Sequence, residues 1–236
     1  MQHQRSSSVL LCIETSGSLC GVALADATSE QILAELSFSE PFLHDKLLAE
    51  AVHSLMKMTE ISFADITAVA VSSGPGSFTG LRIGAAFAKA LCFDDSPKLL
   101  PVPTMHAYAL HALNTAYTLG KTDICVGIPS HRDLVYLQHF GFRDASEIIA
   151  MDDITLVKEE AVHVRTRTLY VGGAFLHKPD FMSLPELCCI TPTMIAAMAM
   201  RRFKQEQFVA SEDFVPLYSQ EFTPKIAVIS SHEFKP

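Results

Sequence analysis

The sequence has no hydrophobic run long enough to span a bilayer. Its longest apolar stretches, at residues 66–71 and 194–200, fall far short of the roughly 20 residues that a membrane helix needs. An export signal is also missing. Residues 1–8 are polar, and the apolar run at 9–13 is cut off at once by Glu14 with no cleavage-site pattern. That run reads as a buried strand, and a cytoplasmic location is the expectation. No C-x-x-C pair occurs among Cys12, Cys20, Cys92, Cys125, Cys188 and Cys189. Most of them sit in apolar company, where a free cysteine behaves as a small hydrophobe. Neither a zinc site nor a disulfide framework is expected. Basic residues are in deficit, and the formal net charge is −8. A protein that grips nucleic acid by its phosphates presents a basic face. The nearest approach to one is Arg201-Arg202-x-Lys204 at a predicted helix end, where cations complement the helix dipole. Contact with nucleic acid is therefore expected only through a larger complex.

What is present is a globular composition, 49% hydrophobic and 19% charged. Residues 9–13 and 20–24 read as buried strands, and residues 32–38 alternate apolar and polar positions as a third. Short turns join them into an antiparallel meander. Leu43, Leu47, Leu48, Ala51, Leu55 and Met58 then recur at helical spacing and form one apolar stripe. Residues 66–71 make a β-branched strand, 72–78 a loop, and 79–92 an alanine-rich helix. Pro97, Pro101 and Pro103 read as a linker holding a short extended piece. A helix follows over 104–118 with Thr104 as its candidate N-cap, then strands at 124–128, 134–140, 161–164 and 168–171. Thr191-Pro192 opens a last helix to about residue 203. The class is α/β, and the second half is a weaker echo of the first.

Residues 72–84, Ser-Ser-Gly-Pro-Gly-Ser-Phe-Thr-Gly-Leu-Arg-Ile-Gly, are the most informative segment. Gly74 and Gly76 can take positive φ, Pro75 stiffens the turn, and Ser77 or Thr79 can cap the helix. Two readings stay open. Free N–H groups at the helix start could cradle a phosphate. The string lacks the lysine of a Walker loop, however, and misses the dinucleotide spacing. Alternatively the segment is a tight structural turn, and Gly80 and Gly84 give the helix a smooth face that a second helix or backbone can approach closely.

The string from Gly74 to Gly84 closely resembles the hallmark of the bacterial TsaB (YeaZ) family. Ile13-Glu14-Thr15-Ser16 resembles the family's first strand and turn, where Asp is usual in place of Glu14. His44 with Leu47 and Leu48 resembles its first helix, Ala88-Lys89-Ala90-Leu91 its second, and Val215-Pro216-Leu217-Tyr218 its closing segment. The resemblance covers residues 9–110 well and the rest in pieces. Pro129-Ser130-His131-Arg132-Asp133 departs from it, as does Ser219-Gln220.

The resemblance implies an actin/Hsp70-like (ASKHA) duplicated RNase-H-like fold. Its lobes would be 8–104 and 105–236, the second reduced, with a terminal segment able to pack back on the first. It also implies a non-catalytic subunit that activates a TsaD-like transferase, the enzyme making N6-threonylcarbamoyladenosine at position 37 of tRNA. A TsaE-like ATPase would join through that pair, and the chain alone would form a homodimer. The implied interface comprises His44, Leu47, Leu48, Ala51, Leu55, Thr79, Gly80, Arg82, Ile83, Gly84, Phe87 and Ala88, beside the glycine loop Gly74, Pro75, Gly76 and Ser77. An arginine at Gly84 is then expected to block partner binding with the fold intact. Glu14, Thr15, Ser16, Gly172 and Gly173 are candidate nucleotide contacts by analogy with actin-like turns.

No cofactor or metal is expected. His44 with His53, His106 with His111, and His131 with His139 all miss the i, i+4 spacing of paired ligands on one helix turn. There is no G-x-S-x-G elbow, and nothing in the sequence positions a base beside Ser77. The alternatives to a scaffold are a nucleotide hydrolase or protease-like enzyme, or a stand-alone homodimeric regulator.

Overall fold

The computed structural model describes residues 8–39, 44–94 and 96–217, with only the backbone described at 44 and 45. The first sheet has the order β3-β2-β1-β4-β5. Strands β1 (Val9–Glu14), β2 (Cys20–Asp26) and β3 (Gln31–Phe38) form the antiparallel meander. Strand β4 (Ile66–Ser72) then runs parallel to β1, and β5 (Lys98–Val102) runs parallel to β4. Parallel neighbours require crossovers. The helices α1 (His44–Thr59) and α2 (Phe78–Leu91) supply them on one face of the sheet. Strand β1 is buried along its whole length because both faces of this sheet are covered.

Helix α3 (Thr104–Thr118) leads to a second sheet, ordered β10-β6-β7-β8. It contains β6 (Asp123–Pro129), β7 (Leu134–Gly141), β8 (Ile149–Ala150), β9 (Thr155–Lys158), which pairs with β7, and β10 (Thr168–Val171), parallel to β6. This repeats the antiparallel-then-parallel plan of the first sheet in shortened form. A 3-10 turn, Glu159–Ala161, stands where the first half has α1. Helix α4 (Pro192–Lys204) closes the described fold. The Thr191 hydroxyl caps it by accepting from the Met194 N–H at 3.3 Å.

The layers run α1/α2, first sheet, α3/α4, second sheet. Helix α4 belongs to the second half by sequence, yet it lies across all five strands of the first sheet. One apolar cluster therefore joins Leu10, Ala70 and Leu100 to Tyr108, Ile195, Phe140 and Leu169. A second, on the outer face of the first sheet, packs Leu11, Ile13 and Val69 against Leu48, Leu55, Ala85 and Ala88. Residues 209–217 also return to the first sheet. The Val209 N–H donates to the Leu99 carbonyl at 3.0 Å, and the Leu217 N–H donates to that of Ser73 at 2.8 Å.

Three sequence expectations change. The proline-punctuated linker is the edge strand β5, with Pro101 in the strand and only Val209 bridged beyond it. An edge strand tolerates a residue with no N–H to donate. The strand expected at 161–164 lies earlier, at Thr155–Lys158. The N-cap of α3 is Pro103. The Thr104 hydroxyl is turned away to accept from the Gly74 N–H at 3.1 Å, tying α3 to the glycine loop.

Candidate partner interface

Strand β4 delivers the chain into the glycine loop at its C-terminal end, and the loop opens α2. Gly74 takes φ +96°, which a side chain would resist. The Ser77 hydroxyl caps the helix by accepting from the Gly80 N–H at 3.2 Å. The glycine face of α2 is fully occupied by the chain's own loop after β1. A Cβ at Gly80 would stand 1.9 Å from the Thr15 carbonyl oxygen, one at Gly84 2.3 Å from Thr15 Oγ1, and one at Gly76 2.5 Å from the Ser16 carbonyl oxygen. Two hydrogen bonds fix the approach. Thr15 Oγ1 donates to the Gly80 carbonyl at 2.8 Å, and the Ser77 N–H donates to that of Ser16 at 2.7 Å.

The expected interface residues divide by burial. Leu48, Ala51, Leu55, Gly80, Gly84 and Ala88 are buried in this chain's own packing, the first three and Ala88 against the outer face of the first sheet. Gly84→Arg would drive a side chain into Thr15 and disturb the fold itself. What faces outward on α2 is the opposite side. Thr79 and Arg82 are exposed, and Ile83 and Phe87 are half-buried. Phe78, absent from the sequence expectation, is 51% exposed, and the Arg82 guanidinium lies 3.9 Å over its ring. Leu47 is half-buried on the neighbouring α1, and Met58 is exposed at its far end. The side chain of His44, together with Leu43 and Tyr218, lies outside the described residues.

The candidate nucleotide contacts are engaged too. Glu14 Oε1 accepts from the Ser16 N–H at 2.5 Å, the Ser16 hydroxyl at 2.7 Å and the Gly17 N–H at 3.0 Å. Gly172, at φ +96°, donates its N–H to the Leu187 carbonyl and leaves a Cβ only 2.3 Å from the Gly127 carbonyl oxygen. Gly173 packs against Pro129. A phosphate cradle needs unpaired amides, and the Ser16, Gly17, Gly74, Ser77, Gly80 and Gly172 amides are all paired within the chain.

Two further features bear on chemistry. His139 and Asp152 pair at 2.7 Å, and Cys125 lies opposite His139 in the β6–β7 register. Burial pushes the Cys125 thiol far up, so no thiolate is available to act as a nucleophile. Among the described residues no cluster of three or more His, Cys, Asp or Glu is gathered as a metal would need. Likewise, none of their helices is long and apolar enough to cross a membrane.

The geometry has known counterparts. A family model described as TsaD: tRNA N6-adenosine threonylcarbamoyltransferase matches residues 42–165. The Escherichia coli tRNA threonylcarbamoyladenosine biosynthesis protein TsaB is 30% identical over 229 residues, spanning 94% of this chain and 91% of that protein. The chain belongs to the TsaB (YeaZ) family. The Bacillus subtilis TsaB is 34% identical over a shorter stretch, 36% of each chain. The fold agrees with that of YeaZ from Pseudomonas aeruginosa, with a TM-score of 0.75 at 22% identity over 89% of this chain and 99% of that one. This chain shares that fold, a repeated α/β plan with a shortened second sheet. The glycine loop that carries the TsaB resemblance is, in this chain, the joint that seats α2.

Proposed function

We propose that the chain is a non-catalytic subunit of the machinery that makes N6-threonylcarbamoyladenosine at position 37 of tRNA. It docks a TsaD-type transferase and thereby activates it. A TsaE-type ATPase joins through that pair, and tRNA is met only through the complex. The observation that carries the reading is the outward side of α2 and its neighbour α1. Phe78, Ile83, Phe87 and Met58 give up water-accessible apolar surface there, with Arg82 as a polar anchor. Aromatic residues with an arginine are the side chains that most often dominate binding energy at protein interfaces. Thr79 and Leu47, also expected at the interface, fall on the same outer layer. The reading places this face on the lobe at 8–104 and uses it for self-association when the partner is absent.

The paired amides around the glycine loop and the Cys125 thiol, pushed up by burial, support a role without chemistry of its own. Reconstitution tests it. The transferase and the remaining components are combined with tRNA, with and without this chain. Threonylcarbamoylation that requires the chain, which alone does nothing, is expected. Equal modification without it would end the reading.

A further inference from the structure

Residues 209–217 run beside α2 and border the face assigned to the partner. The segment leaves the edge strand β5, where the Val209 N–H donates to the Leu99 carbonyl at 3.0 Å. It ends at the glycine loop, where the Leu217 N–H donates to the Ser73 carbonyl at 2.8 Å. Between these ends Lys89, in the last turn of α2, donates from Nζ to the Glu212 carbonyl at 3.3 Å and the Phe214 carbonyl at 3.2 Å. Hydrogen bonds from a charged donor are stronger than neutral ones. These contacts lay the segment along α2 in the opposite sense, from the helix's last turn to its first.

The side chains of the segment alternate. Phe214 and Pro216 are buried, Phe214 within the outer core, whereas Val215 is 70% and Leu217 47% exposed. Such a period of two belongs to an extended chain with one side on a core. Leu217 closes on the glycine loop, and a Cβ at Gly74 would stand 2.9 Å from its carbonyl oxygen and 3.4 Å from its Cβ. Phe78, exposed as well, opens α2 just beyond that loop. Apolar side chains scattered singly over a surface need no explanation, but several gathered on one fixed backbone mark an interaction site. The two ends of the strip differ in charge. Arg82 lies over the Phe78 ring at one end. Glu212 and Asp213 are exposed at the Lys89 end and join no ion pair among the described residues.

We propose that residues 212–217 are the second wall of the partner face. Val215 and Leu217 continue the apolar strip begun by Phe78, and Lys89 is the positioning residue that holds them there. The occupant is the TsaD-type transferase subunit, through an apolar stripe with an acidic group toward Arg82 and a basic group toward Glu212 and Asp213. The partner's identity rests on the docking reading above, whereas the course of the segment does not. A strip pinned before the partner arrives loses little conformational freedom on binding.

Calorimetric titration of the transferase subunit with full-chain variants tests this. Val215→Asp is expected to bind at least about tenfold more weakly, with the exchange of the Leu217 amide in the free chain unchanged. Asp213→Lys is expected to weaken binding about threefold at low salt and to match wild type at high salt. Lys89→Met is expected to speed exchange of the Leu217 amide about tenfold and to weaken binding with it. Faster exchange with undiminished binding in Lys89→Met would overturn the positioning role. Phe78→Ala separates the two readings. If it weakens binding while Val215→Asp and Asp213→Lys bind as wild type does, the second wall falls and the docking reading stands. If none of the three weakens binding, both fall. Should Val215→Asp fail to fold, Asp213→Lys, on the solvent side, decides in its place.

Discussion

Gly80 and Gly84 show how a single absent methyl group fixes the orientation of a helix. Thr15 occupies the space that a Cβ would need, and its hydroxyl takes up the Gly80 carbonyl. Gly80→Ala is therefore expected to cost about 3 kcal/mol, the upper part of the overpacking range, measured by urea unfolding. Thr79→Ala, one residue away on the exposed side, should stay within about 0.5 kcal/mol of wild type. Glu14 gives a pH prediction with a definite sign. Its folded pKa of about 7 lies above its ordinary 4.5, so the folded state holds the proton longer than the unfolded state does. The stability it contributes is fully present below pH 4.5 and falls as pH rises toward 7, by about 3 kcal/mol at 1.36 kcal/mol per unit. Glu14→Gln removes that slope. A wild type whose stability rises with pH relative to Glu14→Gln over this window would refute the assignment.

At the scale of elements, periodicity served well where one face of a segment is polar. The stripe of α1 and the alternation of β3 each marked an element, and Thr191-Pro192 marked the start of α4. Replacing Thr191 with Ala should cost about 1 kcal/mol through the lost cap, again by unfolding. Helix α2 defeated the same logic. Spacing tells which residues share a face, but not which face looks inward. In an alanine-rich helix both faces are apolar, so the glycine side read as open to a partner. The competitor for that side was the loop after β1, 65 residues away in sequence at the Thr15–Gly80 contact, and no local pattern announces it. Strand β5 was obscured by its prolines, which only an edge position permits. Strand β9 is short and mostly exposed, so it carries no apolar pattern at all. The paired amides of Ser16, Gly17 and Gly172 were equally invisible, because hydrogen-bond partners depend on backbone geometry rather than on residue type.

Over the whole molecule, the two halves are related by plan but not by independence. Gly74 after β4 and Gly172 after β10 both take φ +96°, each following a strand that runs parallel to β1 or β6. The second sheet lacks crossover helices of its own, and α4 is laid on the first sheet instead. The apolar cluster between the sheets is thus shared. A fragment of residues 8–104 would leave the inner faces of β1, β2, β4 and β5 uncovered. It is expected to show no cooperative thermal transition, whereas the full chain unfolds in a single one. A cooperative transition in the fragment would contradict a shared core. The outer layer of α1 and α2 is free of this duty on its solvent side, which leaves it available for docking.

The docking claim is tested most directly by calorimetric titration of a TsaD-type catalytic subunit with the wild type and with Phe78→Ala, whose side chain is 51% exposed. The account predicts at least about tenfold weaker binding for the variant, in keeping with a truncated interface anchor, with a melting temperature close to wild type. Undiminished binding by a folded Phe78→Ala chain would contradict it.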